Sequence, residues 1–379
     1  MKAIPTMFLL QKNLPIIIFI NCPMYEKRIA DVKAELSRRK LYALLVTKLE
    51  YVRYLTGFTG TSGICVVTLN NQYFLTDRRY KDQARIEVKN FKLIVVKENV
   101  ISFLSDIKIL PPGSKIGYDS KSLKVNDFLM LKKLLIGRRL IPADEIMERI
   151  TLVKEADEIE LIKQAAGISI KVFESILNII KPGIKEIELA AEISYLHKKF
   201  GAECDAFEPI VASGYRSALP HARASDKAIR NREMLVIDFG CKFKGYNCDI
   251  TRTVAIGKPI LELKKVYNIV LKAQNIGIER IHQGVKANFV DNIVRKYIRT
   301  CGYGKFFIHS LGHSVGLEIH EPLKLSSASK DVLRKGNIVT VEPGIYLPGK
   351  GGIRIEDMVL IRERDCEILT PLPKELLIL

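Results

Sequence analysis

Acidic residues are in short supply in this chain, histidine is scarce, and cysteine never falls into a metal-type spacing. Lysine and arginine number 60 against 42 aspartates and glutamates, a formal net charge of +18. Such an excess raises nucleic acid or an anionic membrane as partners. The basic residues are dispersed, however. The clusters are short, such as Arg38-Arg39-Lys40, and there is no basic arm and no nucleic-acid motif. The charge therefore reads as a lysine-rich soluble surface, and no nucleic-acid partner is expected. No apolar run reaches the roughly 20 residues of a membrane span. The Leu14–Ile20 run, LPIIIFI, falls far short of it, so no membrane partner is expected either. The seven cysteines (Cys22, Cys65, Cys204, Cys241, Cys248, Cys301 and Cys366) are odd in number and lack CxxC spacing. That pattern fits packed thiols in a reducing cytoplasm rather than a disulfide framework. Cys241 and Cys248 flank one turn symmetrically, and packing is the expected reason.

Residues 1–23 stand apart. Lys2 ahead of apolar stretches suits a signal peptide, but Gln11-Lys12-Asn13 interrupts them and no small-x-small cleavage site follows. They are expected to be an extension ahead of a helix that opens at Met24.

What is present fits a soluble globular protein: 47% hydrophobic and 27% charged residues over a length that suits two domains. From Met24 to about Ile150, helical and strand patterns alternate, with expected helices at Met24–Lys40, Arg78–Val88, near Ile101–Ile109 and near Val125–Leu135. Expected strands lie at Leu41–Val46, Ile64–Leu69, Tyr73–Thr76, Phe91–Val96 and Lys115–Tyr118. This α/β domain, residues 24–150, has no histidine, no cysteine cluster and no glycine-rich phosphate loop. It reads as a scaffold, a lid or an oligomerisation surface. A boundary is expected near Pro142–Lys154.

Residues 151–379 read as an α+β domain. Helices are expected from Glu155 to about Ala166, Ile168–Ile180, Lys185–Phe200, Leu261–His282 and Ala287–Thr300. Strands are expected around Phe207–Ala212, Met234–Ala255, Phe306–His309, Ile338–Glu342 and Ile353–Ile361.

The chemistry concentrates in this second part. Met234–Thr253, MLVIDFGCKFKGYNCDITRT, reads as a hairpin. A turn centred between Phe243 and Lys244 would place Asp238 directly opposite Asp249. Facing carboxylates about 5 Å apart repel and call for a cation. A second apparent hairpin, VEPGIYLPGKGGIRIED, sets Glu342 opposite Glu356 about a midpoint at Gly349. Between them, HSLGHSVGLEIHE holds His309, His313 and His320, three of only six histidines. Its glycines argue against a helical zinc pair, and HExxH is absent. Four carboxylates and a neutral imidazole carry a charge of about −4, which two divalent cations neutralise. Such a donor set suits Mn²⁺, Co²⁺, Fe²⁺ or Zn²⁺. Ions about 3.5–4 Å apart would activate water and polarise a carbonyl, so metal-assisted hydrolysis is the expected reaction class.

With IDFG, CDITRT, LGHSVGLEIHE, VEPGIY and GGIRIED in this order, the chain resembles the pita-bread-fold metallopeptidases. That group includes methionine aminopeptidase, prolidase, aminopeptidase P and the metal-free creatinase. The likeness is strong from about Ile150 onward and extends more weakly over the first domain through YLTGFTG. It implies a C-terminal pita-bread domain behind an N-terminal α/β creatinase-like domain. It further implies that Asp238 binds one ion, that Asp249 and Glu356 bridge both, and that His313 and Glu342 bind the other. Ser213–His221, SGYRSALPH, resembles a segment of prolidase and aminopeptidase P, in which His221 would assist proton transfer or substrate positioning. His309 and His320 match histidines that contact substrate or the tetrahedral intermediate. Arg354, expected on the strand face opposite Glu356, matches an arginine of proline-specific members. Glu356 is also a candidate general base.

The implied activity is hydrolysis of an Xaa-Pro bond, in dipeptides or at longer N-termini, so the expected partner is a peptide with proline second. A homodimer is implied by the family's habit, and Mn²⁺ or Co²⁺ are the first candidates among the ions. Another aminopeptidase specificity and a catalytically silent binding module on the same fold stay open. The extra N-terminal domain and the ALPH segment point away from methionine aminopeptidase. The complete ligand set points away from creatinase chemistry and from the silent module.

Overall fold

Short β-branched runs bounded by turns pair into sheets when each can bury a face, and the first unit, which ends at Ile150, is built this way. The structure, a computed structural model, describes residues 23–97, 100–105 and 109–379. The expected extension (residues 1–23), the Leu14–Ile20 run, Cys22 and part of the helix expected near Ile101–Ile109 fall wholly or largely outside the described residues. In the first unit six strands form one mixed sheet. Their order is Lys92–Val96, Gln72–Asp77, Ile64–Thr68, Ala43–Val46, Lys115–Tyr118, Arg139–Pro142. Leu45, Val66, Leu75 and Ile116 carry its core together with Leu131 of the helix Val125–Leu134. The short helix Leu49–Thr56, the strand Arg139–Pro142 and the helix Asp144–Leu152 were not expected. The last lies in the Pro142–Lys154 stretch where a boundary was expected, and the first unit ends within it at Ile150.

The second unit runs Thr151–Leu379. It opens with one long helix, Ala156–Ile176, where two were expected. The two expected pieces meet at Gly167. A glycine costs a helix about 1 kcal/mol, and the buried face of Ile162, Ala166, Ser169 and Phe173 runs straight past it. A capping box of Glu155 and Glu158 starts this helix. Two further helices, Leu261–Ile278 and Ala287–Thr300, bury Val266, Val270, Val290 and Val294. They pack in one core with Val339, Val341, Val359 and Ile361 of the sheet.

The strands divide into small antiparallel sheets. Met234–Phe239 lies between Ile250–Ala255 and Ile210–Ser213. A five-stranded sheet runs in the order Glu321–Leu325, Gly312–Ser314, Ile338–Val341, Asp357–Ile361, Cys366–Ile368. Gly344–Leu347 pairs with Gly351–Arg354. Phe306–His309, read as strand, is instead a 3-10 turn and irregular chain, and the strand starts at Gly312. Among the described residues no helix is long and apolar enough to cross a membrane.

Candidate active site

Strand register decides which carboxylates meet. The first hairpin turns on Lys244 (φ 45°) and Gly245 (φ 90°), a pair of left-handed residues that suits a two-residue hairpin. Phe243 therefore faces Tyr246, and Asp238 faces Thr251 rather than Asp249. The expected pairing is corrected by this shift, but its parity is even, so the side chains of Asp238 and Asp249 stay on one face. Close approach of the two chains next to Asp249 needs Gly240, where an added Cβ would stand 1.8 Å from the Cys248 carbonyl oxygen. The flanking thiols of Cys241 and Cys248 are buried. Cys241 donates to the Ala165 carbonyl at 3.3 Å, and burial pushes its pKa up to about 12. These are packed thiols, not ligands.

In the second hairpin Gly344 faces Arg354, and Val341 faces Asp357 in the adjoining ladder. The two ladders keep one register, which sets Glu342 against Glu356, although the pairing is interrupted there and their amides donate to the Leu311 and Thr251 carbonyls. Arg354, expected to point away from Glu356, does not. Residues two apart on a strand share a face, and the Arg354 guanidinium reaches Asp238 Oδ2 at 2.5 Å.

These side chains line one cavity of about 480 Å³. Asp238, Asp249, His313, Glu342 and Glu356 are in its wall, and so are His221, His309, His320 and Arg354. One ligand atom each of Asp249, His313 and Glu356 lies within 4.8 Å of the other two. His313 Nε2 is 3.6 Å from Asp249 Oδ2 and 3.5 Å from Glu342 Oε1. Its Nδ1 donates to the Ser314 carbonyl at 3.2 Å, which leaves Nε2 with a free lone pair. Burial, with His320 beside it, drives His313 down to about 3, so its ring is neutral.

The carboxylates respond in the opposite direction. Burial and then the charges of Asp238 and Glu342 raise Asp249 well above the ordinary aspartate value. Burial and then Asp249 do the same to Glu356. Burial lifts Glu342 to about 8, with Asp238 adding to the lift and Arg354 opposing it. Asp238 Oδ1 is buried without a hydrogen-bond partner among the described residues. Oxygens this crowded, this dry and in part unpartnered have the chemistry of a cation site.

Tyr346 and Lys324 in the wall, and Thr251 and Thr340 buried behind it, were not among the expected site residues. Tyr346 accepts from Arg354 at 2.8 Å and donates to His309 Nε2 at 2.9 Å. His309 Nδ1 donates to the Ser310 carbonyl at 2.8 Å. Burial holds His309 down to about 4, with Arg354 adding to it, so this chain of donors has one direction. Thr251 donates to Glu356 Oε2 at 2.7 Å and accepts from Arg354 Nε at 3.1 Å. Thr340 accepts from the His313 amide at 3.1 Å and donates to Glu342 Oε1 at 3.4 Å. Strand periodicity was the available signal: Thr251 is two residues beyond Asp249, Thr340 two before Glu342, and Tyr346 four after it. Lys324 also lines the cavity, directly across the strand pair from His313.

Two family models match. One, metallopeptidase family M24, covers residues 160–363, and the other, the creatinase/prolidase N-terminal domain, covers residues 28–153. The chain belongs to metallopeptidase family M24. An uncharacterized peptidase of Bacillus subtilis is 40% identical over 336 residues, 89% of this chain and 95% of that protein. Among solved structures, an Xaa-Pro dipeptidase from Bacillus anthracis superposes with a TM-score of 0.90 at 38% identity. It covers 94% of this chain and 100% of its own. An X-Pro aminopeptidase from Thermotoga maritima gives a TM-score of 0.83 at 40% identity, covering 90% and 99%. The M24 architecture thus accounts for both units, a creatinase-type N-terminal domain and a pita-bread C-terminal domain.

Proposed function

We propose that this M24 peptidase is a metal-dependent exopeptidase that hydrolyses Xaa-Pro bonds, with dipeptides as preferred substrates. The observation that carries this reading is the convergence of four carboxylates, three buried and Glu342 half-buried, with one neutral imidazole on a single cavity. Asp238, Asp249, His313, Glu342 and Glu356 would hold two divalent cations, with Mn²⁺ and Co²⁺ the first candidates. Bound there, such cations supply Lewis acidity toward the scissile carbonyl and lower the pKa of nearby water.

The chain's own groups do the rest. Thr251 fixes Glu356 through Oε2 and leaves Oε1 without a donor among the described residues, so Oε1 is the atom that takes a proton from attacking water. Arg354 is anchored on Asp238, Tyr346 and the Pro220 carbonyl. It thereby orders one wall, with His309 locked behind Tyr346. His221 and His320 are exposed to the cavity and make no hydrogen bond to a described residue. They are the imidazoles free to donate to substrate and to the departing amine.

Relatives of both substrate habits, dipeptidase and aminopeptidase, share this fold. Lys324 favours the dipeptide. Its exposed ammonium has no hydrogen bond or ion pair with a described residue, while Arg354 is committed to Asp238. A free cation in the cavity wall suits a substrate carboxylate placed one residue beyond the scissile bond. A charge-assisted hydrogen bond contributes about 1.5 kcal/mol. Lys324→Met is therefore expected to raise KM for Ala-Pro about tenfold and to leave KM for Ala-Pro-Ala nearly unchanged. Steady-state kinetics on both peptides, after chelation and reloading with Mn²⁺ or Co²⁺, tests the function and this preference together. Full activity in metal-free protein would overturn the mechanism. Equal effects on the two peptides would remove Lys324 from substrate recognition.

A further inference from the structure

We propose that Glu186 is the positioning residue that fixes His221 in the cavity wall, an inference that rests on the reading of His221 as a group that acts on peptide substrate. Glu186 is the first residue of the helix Glu186–Lys199 and is fully buried. A helix start of this kind needs no carboxylate inside the protein, and burying one is costly unless its oxygens are satisfied. Here each oxygen receives two donors, and all four come from one stretch of chain. Oε1 accepts from the Ser213 amide at 2.8 Å and the Ser213 hydroxyl at 2.9 Å. Oε2 accepts from Arg216 Nε at 2.9 Å and the Ser225 hydroxyl at 2.7 Å.

Ser213 and Arg216 precede His221, and Ser225 follows it. The carboxylate therefore gathers both stems of the loop whose exposed tip carries His221. Arg216 ties the stems a second time by donating Nη2 to the Arg223 carbonyl at 2.5 Å. The helix backbone joins in, with Glu186 and Ile187 amides donating to the Lys227 and Ser225 carbonyls. His221 itself makes no hydrogen bond to a described residue. Its ring can be placed only by the course of its backbone, and Glu186 is the group on which that course converges.

A carboxylate is acceptor-only, whereas glutamine puts a donor on one of the two atoms. Glu186→Gln keeps the volume and sets an NH₂ group against donors that already point inward. Displacement of a reacting group by about 1 Å can cost about 10²-fold in rate. The test uses metal-loaded full-length protein: wild type, E186Q, H221A and the double variant, with Ala-Pro turnover, metal content and tryptic nicking between residues 214 and 227 as readouts. The expected result is a kcat about 10²-fold lower in E186Q, with metal content unchanged and nicking accelerated. The double variant should be no slower than H221A, because E186Q acts only through His221. A generally structural role would instead lower kcat by the same factor in both backgrounds, and that outcome overturns the proposal. So does wild-type kcat in E186Q. If E186Q fails to fold, S225A, which removes a single donor, is read in the same cycle with the same two outcomes. An unchanged rate in H221A overturns the reading of His221 and this inference with it. Loss in H221A with multiplicative effects overturns the clamp alone.

Discussion

Asp249→Asn protein is expected to fold, to lose its metal and to lose hydrolysis in the same step. Asp249 sits 5% exposed between His313, at 3.6 Å, and the other carboxylates. Asparagine has the same shape, so the packing around Gly240 and Cys248 has no reason to change. Its chemistry differs in two ways. One negative charge leaves a site whose affinity for cations depends on its total charge. The amide also places either a weaker oxygen or an N–H group where the proposed cation site would use a carboxylate oxygen, and an N–H would occupy the free lone pair of His313. A fall in kcat of about 10³-fold or more is expected, equivalent to about 4 kcal/mol. Metal analysis and calorimetric titration with Mn²⁺ report the cause separately from the rate. Normal metal content with lost activity would move Asp249 from the ligand set to some other role. Normal activity would remove it from the site.

How much of this site was legible follows from which contacts are local. Glu342 and Glu356 share a hairpin, and the midpoint at Gly349 coincides with the observed register, because no bulge intervenes between Val341↔Asp357 and Gly344↔Arg354. Asp238 and Asp249 also share a hairpin, but its turn was centred one residue too early, between Phe243 and Lys244 rather than between Lys244 and Gly245. Lys244 takes the positive φ that a glycine or asparagine would have advertised. Their common face survived because the shift was even. Arg354 was assigned the wrong face against a rule that strand geometry already contained.

The long helix Ala156–Ile176 was expected as two pieces on either side of Gly167, although its buried face continues on both sides. Tyr346, Thr251, Thr340 and Glu186 are another matter. Their roles lie in partners drawn from elsewhere in the chain: His309 for Tyr346, Glu356 for Thr251, and Ser213 and Ser225 for Glu186. No spacing within a motif encodes those meetings. They follow from the sheets' assembly, and a residue type such as Thr after Asp is too common to mark them in advance.

Arg252→Met tests the support beneath the ligands and is expected to be the most destabilising single change in the second unit. Arg252 is 2% exposed, yet its guanidinium is fully engaged. It donates to Asp357 Oδ1 at 2.7 Å and to the carbonyls of Thr251, Glu356, Thr370, Leu372 and Pro373. Asp357 is held in turn by Gln274 at 2.8 Å, Thr370 at 3.1 Å and Lys374 at 3.3 Å. Methionine fills the stem's volume but leaves a buried carboxylate and several carbonyls short of donors. Removing one partner of a buried ion pair costs about 3–5 kcal/mol. For a unit of this size that is a drop in Tm of about 10 °C.

The network also reaches the site. The same guanidinium grips the backbone on both sides of the Thr251–Glu356 hydrogen bond, so weaker Mn²⁺ binding should accompany the lower Tm. Outer groups that orient ligands typically contribute about 10–100-fold to metal affinity. Calorimetric melting with and without Mn²⁺, beside the Arg252→Met/Asp357→Leu double variant, separates the two effects. The double variant removes both buried charges and should regain part of the lost stability. It should not regain metal affinity, because the Glu356 carbonyl is still unheld. A Tm within about 2 °C of wild type in Arg252→Met would show that water or a rearranged tail replaces the guanidinium. Regained affinity in the double variant would show that Asp357, rather than Arg252, governs the position of Glu356.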